Sequence, residues 1–110
     1  MATPEQQDIA ITDQRPASRY EARIAGALAG FVEYVRQDDR ITLTHTEVDP
    51  AFEGRGVGSA LARAALDDAR EQQLVVVPQC PFVREYITRH HEYLDIVDPR
   101  ERARIAQSDR

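Results

Sequence analysis

The hydrophobic period of this 110-residue chain changes once, at Pro50, and that change limits its architecture more than any other feature. Before it, apolar and polar residues alternate as in strands that bury one face; after it, apolar residues return at three- and four-residue spacing, as in helices. Ile9 and Ile11 alternate with Asp8 and Thr12, which predicts a short first strand before the turn-forming Asp13 to Pro16. Tyr20, Ala22 and Ile24 face one way and Arg19, Glu21 and Arg23 the other, a half-buried second strand. Ala25-Gly26 reverses the chain into Leu28 to Arg36, apolar on both faces. Gln37-Asp38-Asp39 makes the next turn, and the threonine-rich, β-branched run Ile41 to Val48 ends before Pro50, since proline cannot donate to a ladder.

Beyond Pro50, Val57, Leu61, Ala65 and Ala69 recur every four residues between charged positions and predict an amphipathic helix from about Gly56 to Gln73. Leu74 to Val77 is a wholly apolar strand closed by Pro78, and a second helix starts at Pro81, with Phe82, Glu85, Tyr86, Arg89, His90 and Tyr93 at helical spacing. The order is ββββαβα. It predicts an α/β (α+β) fold with a mixed, mainly antiparallel sheet whose last strand runs parallel to the fourth. One small domain is expected over residues 8–97, with 1–7 and 98–110 as flexible or loosely packed ends. Within that tail, Asp98 as N-cap and Pro99 at the first helical position fit a short charged helix as well as a frayed end.

All 14 basic residues are arginine, against 19 acidic ones, for a net charge of −5. The absence of lysine excludes Schiff-base chemistry and the P-loop lysine. The acidic balance argues against general nucleic-acid or anionic-membrane binding. A lone Cys80 can form no internal disulfide, and no stretch approaches the roughly 18 apolar residues of a membrane span, so a cytoplasmic location is expected. His90, His91 and Glu92 do not make a metal site, because neighbouring helical residues diverge by about 100° and no spaced partner ligand follows.

The most informative segment is E-G-R-G-V-G, Glu53 to Gly58, between a strand and a helix. Alternate glycines allow a tight turn and close ligand approach, and the unpaired N–H groups of a helix N-terminus favour an anion. The loop reads as a pyrophosphate cradle built from backbone, to which Arg55 and the Ser59 hydroxyl can add, or as a tight turn alone. The closing Gly-Lys-Ser/Thr of the P-loop is missing, and the dinucleotide spacing fails at Ser59.

Four strands, H-T-E-V at the end of the fourth, F-E-G-R-G-V-G-S-A-L-A and an amphipathic helix together resemble the GNAT N-acetyltransferase superfamily. V-P-Q-C-P-F-V and H-E-Y further resemble its minimal YjdJ-type subfamily, and the likeness covers roughly Asp8 to Val97. The resemblance implies an acetyl-CoA-dependent transferase acting on a primary amine, carried by a small molecule or a protein, in a monomer or weak homodimer. It implies that Val48, with Glu47 beside it, meets the pantetheine arm, and that Gly54, Arg55, Gly56, Val57, Gly58 and Ser59 hold the phosphates of coenzyme A (CoA). Glu53 stands where the superfamily usually has arginine or glutamine, so its side chain is expected to point away. The subfamily's lack of the N-terminal helices that shape the acceptor pocket leaves a second reading, a CoA-binding module with little catalysis.

Acetyl transfer needs a deprotonated amine, donors for the oxyanion and a proton for the leaving thiolate. A splayed strand end supplies a free N–H near Glu47 or Val48. His45 and Glu47, two apart on one strand, share a face and are both candidate bases; the alternatives are a core histidine and a rim carboxylate. Cys80, just before a helix, is a cofactor contact and a candidate nucleophile, or simply a small buried hydrophobe. Tyr86 is the candidate proton donor by similarity to a tyrosine common in the superfamily, or an aromatic packed with Phe82 and Tyr93.

Overall fold

The computed structural model describes residues 9–108. Strands β1 (Ile9–Gln14), β2 (Arg19–Ile24), β3 (Ala27–Gln37) and β4 (Arg40–Val48) form an antiparallel meander. Helix α1 (Val57–Glu71) crosses over to β5 (Val75–Pro78), which pairs parallel to β4, as the change of period requires. Helices α2 (Pro81–Arg89) and α3 (Pro99–Ser108) follow, with a 3₁₀ segment, His91–Ile96, between them.

Both hairpin turns contain two residues, and the tighter chemistry is at Ala25 (φ 51°) and Gly26 (φ 86°), consistent with the right-handed twist of the strands they join. Cross-strand partners put Tyr20, Val32, Tyr34, Ile41 and Leu43 on one face of the sheet, where they are buried with α1 residues Val57, Leu61, Ala65, Leu66 and Ala69. Alanines along α1 bring its axis close to the sheet; each buried leucine contributes roughly 1.5–3 kcal/mol. Tyr20 anchors the contact by donating to Asp68 Oδ2 at 2.6 Å.

The opposite face has charged and apolar residues mixed. Arg19 lies 4.5 Å from the Phe31 ring centroid, and Glu21 is covered by its neighbours Arg19 and Arg23, which both donate to it. That pairing holds the Glu21 carboxyl below the usual carboxylate range, chiefly through the Arg19 hydrogen bond. Val35 remains 54% exposed.

Three sequence expectations are corrected. β1 continues through Asp13 and Gln14, because both pair with β2 before the turn starts at Arg15. The second helix stops at Arg89 rather than running on to Tyr93: His90 Nδ1 donates to the Tyr86 carbonyl at 2.8 Å, a local side-chain bond that competes with the helical ladder, and His90 turns to φ −133°. The segment 98–108 is no loose end. Asp98 caps α3 by accepting from Arg100 N at 2.8 Å, pairs with Arg40, and leads to Ile105, which is 1% exposed. Residues 1–8 and 109–110 of the expected ends lie outside the described residues.

Candidate functional site

β4 and β5 stay together only as far as Leu43↔Pro78, where the Cys80 N–H donates to Leu43 O at 2.8 Å. From Thr44 to Val48, β4 continues without β5 beside it. A register shift opposite Glu33 and Tyr34 makes Thr44 an extra residue, with its hydroxyl on the Glu33 carbonyl at 3.2 Å. The shift turns His45 and Glu47 away from the face that carries Leu43 and places them with Phe31 on the open one. Without it, Leu43, His45 and Glu47 would share the buried face.

His45 and Glu47 form a pair, with Nε2–H donating to Oε2 at 3.0 Å. Their side chains are 52% and 63% exposed, so His45 is not a core histidine. Beside them a hollow of about 160 Å³ is lined by Gly30, Phe31, Glu47, Val48 and Asp49. Gly30 has no room for a side chain, because a Cβ there would lie 2.7 Å from Glu47 O.

On the covered side of the split, Cys80 is 3% exposed, and its Sγ lies 3.0 Å from Thr46 Oγ1. It occupies the N-cap position of α2 without a side-chain capping bond. This burial fits a wall residue of the cleft better than an accessible nucleophile.

The glycine segment divides its labour. Gly54 (φ 83°) and Gly56 (φ 78°) take left-handed conformations, and a Cβ on either would meet nothing within 4 Å, so the loop surface there is open. Gly58 serves packing instead: a Cβ would lie 2.6 Å from Phe82 Cζ. Gly56 caps α1 with no side-chain acceptor, and the first backbone bond is Ala60 N–H to Gly56 O. The N–H groups of Val57, Gly58 and Ser59 therefore face out of the helix end, where the dipole favours an anion.

Tyr86 stacks on His90 with ring centroids 4.0 Å apart and planes 13° from parallel. Tyr93, at 6.2 Å, donates to Asp67 at 2.6 Å, whereas the Tyr86 hydroxyl has no hydrogen-bond partner among the described residues. Burial pushes the Tyr86 phenol above its ordinary pKa, so it keeps its proton at neutral pH. Phe82 is not part of this aromatic group but lies 43% exposed over Gly58.

The structure thus brings Val48, Glu47 and His45 to one strand end, and Gly54 to Ser59 to the adjacent helix start. Cys80 and Tyr86 lie on the α2 side. Thr46 beside Cys80, and the exposed line Ser59, Arg63, Asp67 along α1, were not singled out from sequence; the four-residue spacing of that line is the signal that marks it. Among the described residues, no helix is long and apolar enough to cross a membrane, and no group of three or more His, Cys, Asp or Glu residues is gathered as for a metal ion.

Residues 19–96 match the family described as GCN5-related N-acetyl-transferase. The chain is similar to Protein NATD1 of Xenopus tropicalis, 31% identical over 96 residues, covering 83% of this chain and 87% of that one. Against Protein NATD1 of Homo sapiens the identity is 36% over 61 residues, and the match spans about half of each, 54%. The solution structure of a GCN5-like protein from Staphylococcus aureus shares the fold with a TM-score of 0.64 at 22% identity, over 83% of this chain and 89% of that one.

Proposed function

The chain belongs to the GCN5-related N-acetyltransferase family, and from that membership we propose that it transfers acetyl from acetyl-CoA to a primary amine at the split between β4 and β5. The observation that carries the reading is the sequence of features along that split. An unpaired strand end leads through two left-handed glycines to a helix start with outward amides.

These residues fit the cofactor on their own geometry. The amides of Val57, Gly58 and Ser59 and the open backbone at Gly54 and Gly56 suit a pyrophosphate, with Arg55 and the Ser59 hydroxyl beside them. Val48, on the unpaired part of β4, suits a peptide-like pantetheine arm, which strand backbone binds as it would another strand. Cys80 and Thr46 line the cleft on the other side.

When bound, acetyl-CoA supplies an activated carbonyl and a thiolate leaving group. The chain's residues supply the rest. A backbone N–H near Glu47 or Val48 stabilises negative charge developing on the carbonyl oxygen. Glu47, oriented by His45, takes the proton of the incoming ammonium, which enters through the hollow at Phe31 and Asp49. The Tyr86 hydroxyl, protonated and without another partner, returns a proton to the thiolate. Direct attack by the amine needs no exposed thiol, in keeping with the burial of Cys80.

Titration with acetyl-CoA, followed by amide resonances, is expected to move those of Gly54 to Ser59; unmoved resonances would refute the cofactor reading. Incubation with acetyl-CoA and a broad panel of amines should release free thiol above the hydrolysis rate. Absence of turnover on that panel with intact binding would instead favour a CoA-binding module. Glu47→Gln and Tyr86→Phe are each expected to lower kcat by about 10²-fold, with little change in acetyl-CoA affinity.

A further inference from the structure

A trough of about 650 Å³ runs over the outward side of α1, between β1 and α2. Acetyl transfer at Glu47 makes no use of it. It begins at Ser59, beside the proposed phosphate loop, and passes Arg63 and then Asp67, each one turn further along α1. At 1.5 Å per residue, Arg63 stands about 6 Å beyond Ser59 along the helix axis, roughly the separation imposed by one sugar ring.

The walls differ in character. Ile9 and Ile11 of β1, with Ala60 and Ala64, make one side apolar, while the stacked rings of Tyr86 and His90 stand on the other. His90 is fixed by its Nδ1 bond to the Tyr86 carbonyl. Arg63 is 72% exposed and held only loosely, its Nε 3.9 Å from Asp67 Oδ2. The other Asp67 oxygen accepts from Tyr93, so the carboxylate is anchored, steers Arg63 along the trough, and repels an anion from the far end.

A ligand leaving the loop along this path therefore needs three properties: continuity with a pyrophosphate, a second anionic group one sugar away, and a flat, largely apolar body. We infer that the trough seats the 3′-phosphoadenosine end of CoA and that Arg63 reads its 3′-phosphate. The inference rests on the cofactor reading above and assigns a selectivity to one side chain outside the reacting centre.

Calorimetric titration of the intact protein with CoA and with 3′-dephospho-CoA tests it. The wild type is expected to bind CoA about tenfold more tightly, the equivalent of one charge-assisted hydrogen bond at an exposed site. Arg63→Gln should bring CoA down to the affinity of 3′-dephospho-CoA while leaving the latter unchanged, which also shows that the variant is folded. Arg63→Lys should keep part of the preference. Equal wild-type affinity for the two ligands, or an equal loss of both in Arg63→Gln, would overturn the Arg63 assignment and leave the phosphate loop standing. Binding of neither ligand to the wild type would overturn this assignment together with the cofactor reading.

Discussion

Gly30 and Gly58 both lie close under another group, yet substitution is expected to affect them differently. A Cβ at Gly30 would meet backbone, Glu47 O at 2.7 Å, so Gly30→Ala must push β3 from β4 and should cost about 1–3 kcal/mol. At Gly58 the obstacle is the tip of the Phe82 ring, on a side chain exposed enough to swing aside. Ala also gains about 1 kcal/mol over Gly inside a helix, so Gly58→Ala should change stability by less than about 1 kcal/mol; urea unfolding of the two variants checks the contrast. Three tyrosines set the alkaline limit. Burial, then the Asp13 hydrogen bond, push Tyr34 up to about 12. Burial with Asp68 raises Tyr20, and burial with Asp67 raises Tyr93, further still. Each bond is formed with the phenol protonated, so its contribution is complete below the unfolded value of 10.0 and is lost as pH rises through the folded values. The urea midpoint is therefore expected to hold to about pH 10 and fall above it, with tyrosinate absorbance appearing as the protein unfolds. Tyr20→Phe should cost about 1 kcal/mol at neutral pH and reduce that alkaline slope, since Asp68 keeps its bond from Gln72.

The candidate site depends on small departures from regular elements. The extra residue at Thr44 sends His45 and Glu47 to the open face, and alternation alone does not reveal it: Leu43, His45 and Glu47 share parity in sequence but not in space. The end of α2 at Arg89 comes from the His90 bond to the Tyr86 carbonyl, which also stacks the two rings. The final helix is amphipathic only in relation to its neighbours. Ile105 is buried, and Arg84 of α2 holds Glu101 of α3. Ile105→Ala is expected to destabilise by about 2–5 kcal/mol, a loss that a frayed tail would not show; denaturant unfolding decides it. The carboxyl of Asp98 is held below its ordinary range, first by Arg40, so this contribution to α3 docking is present at neutral pH and fades as pH falls into the carboxylate range.

In the whole molecule, α1 covers one sheet face, while the other carries Phe31, Glu33, Val35, His45 and Glu47 without a covering helix among the described residues. A site of this kind gains rigidity from its ligand. At a hundredfold excess over Kd, acetyl-CoA should add about 2.7 kcal/mol to stability and raise Tm, which a thermal melt with and without the ligand measures. Much of this plan is set locally. Alternation before Pro50, helical spacing after it and the glycine run between them determine the meander, the crossover and the open loop, because each follows from backbone geometry and burial within a short stretch. The polarity of each strand face is set in the same way wherever the alternation is unbroken. Only the tertiary structure decides where β5 leaves β4, that Gly58 makes room for Phe82 while Gly54 and Gly56 shape the loop, that Cys80 is sealed against Thr46, and that residues 98–108 dock as a helix. Those outcomes depend on which distant side chains meet, and a single extra residue in a strand is enough to reverse a face without changing the pattern that sequence displays.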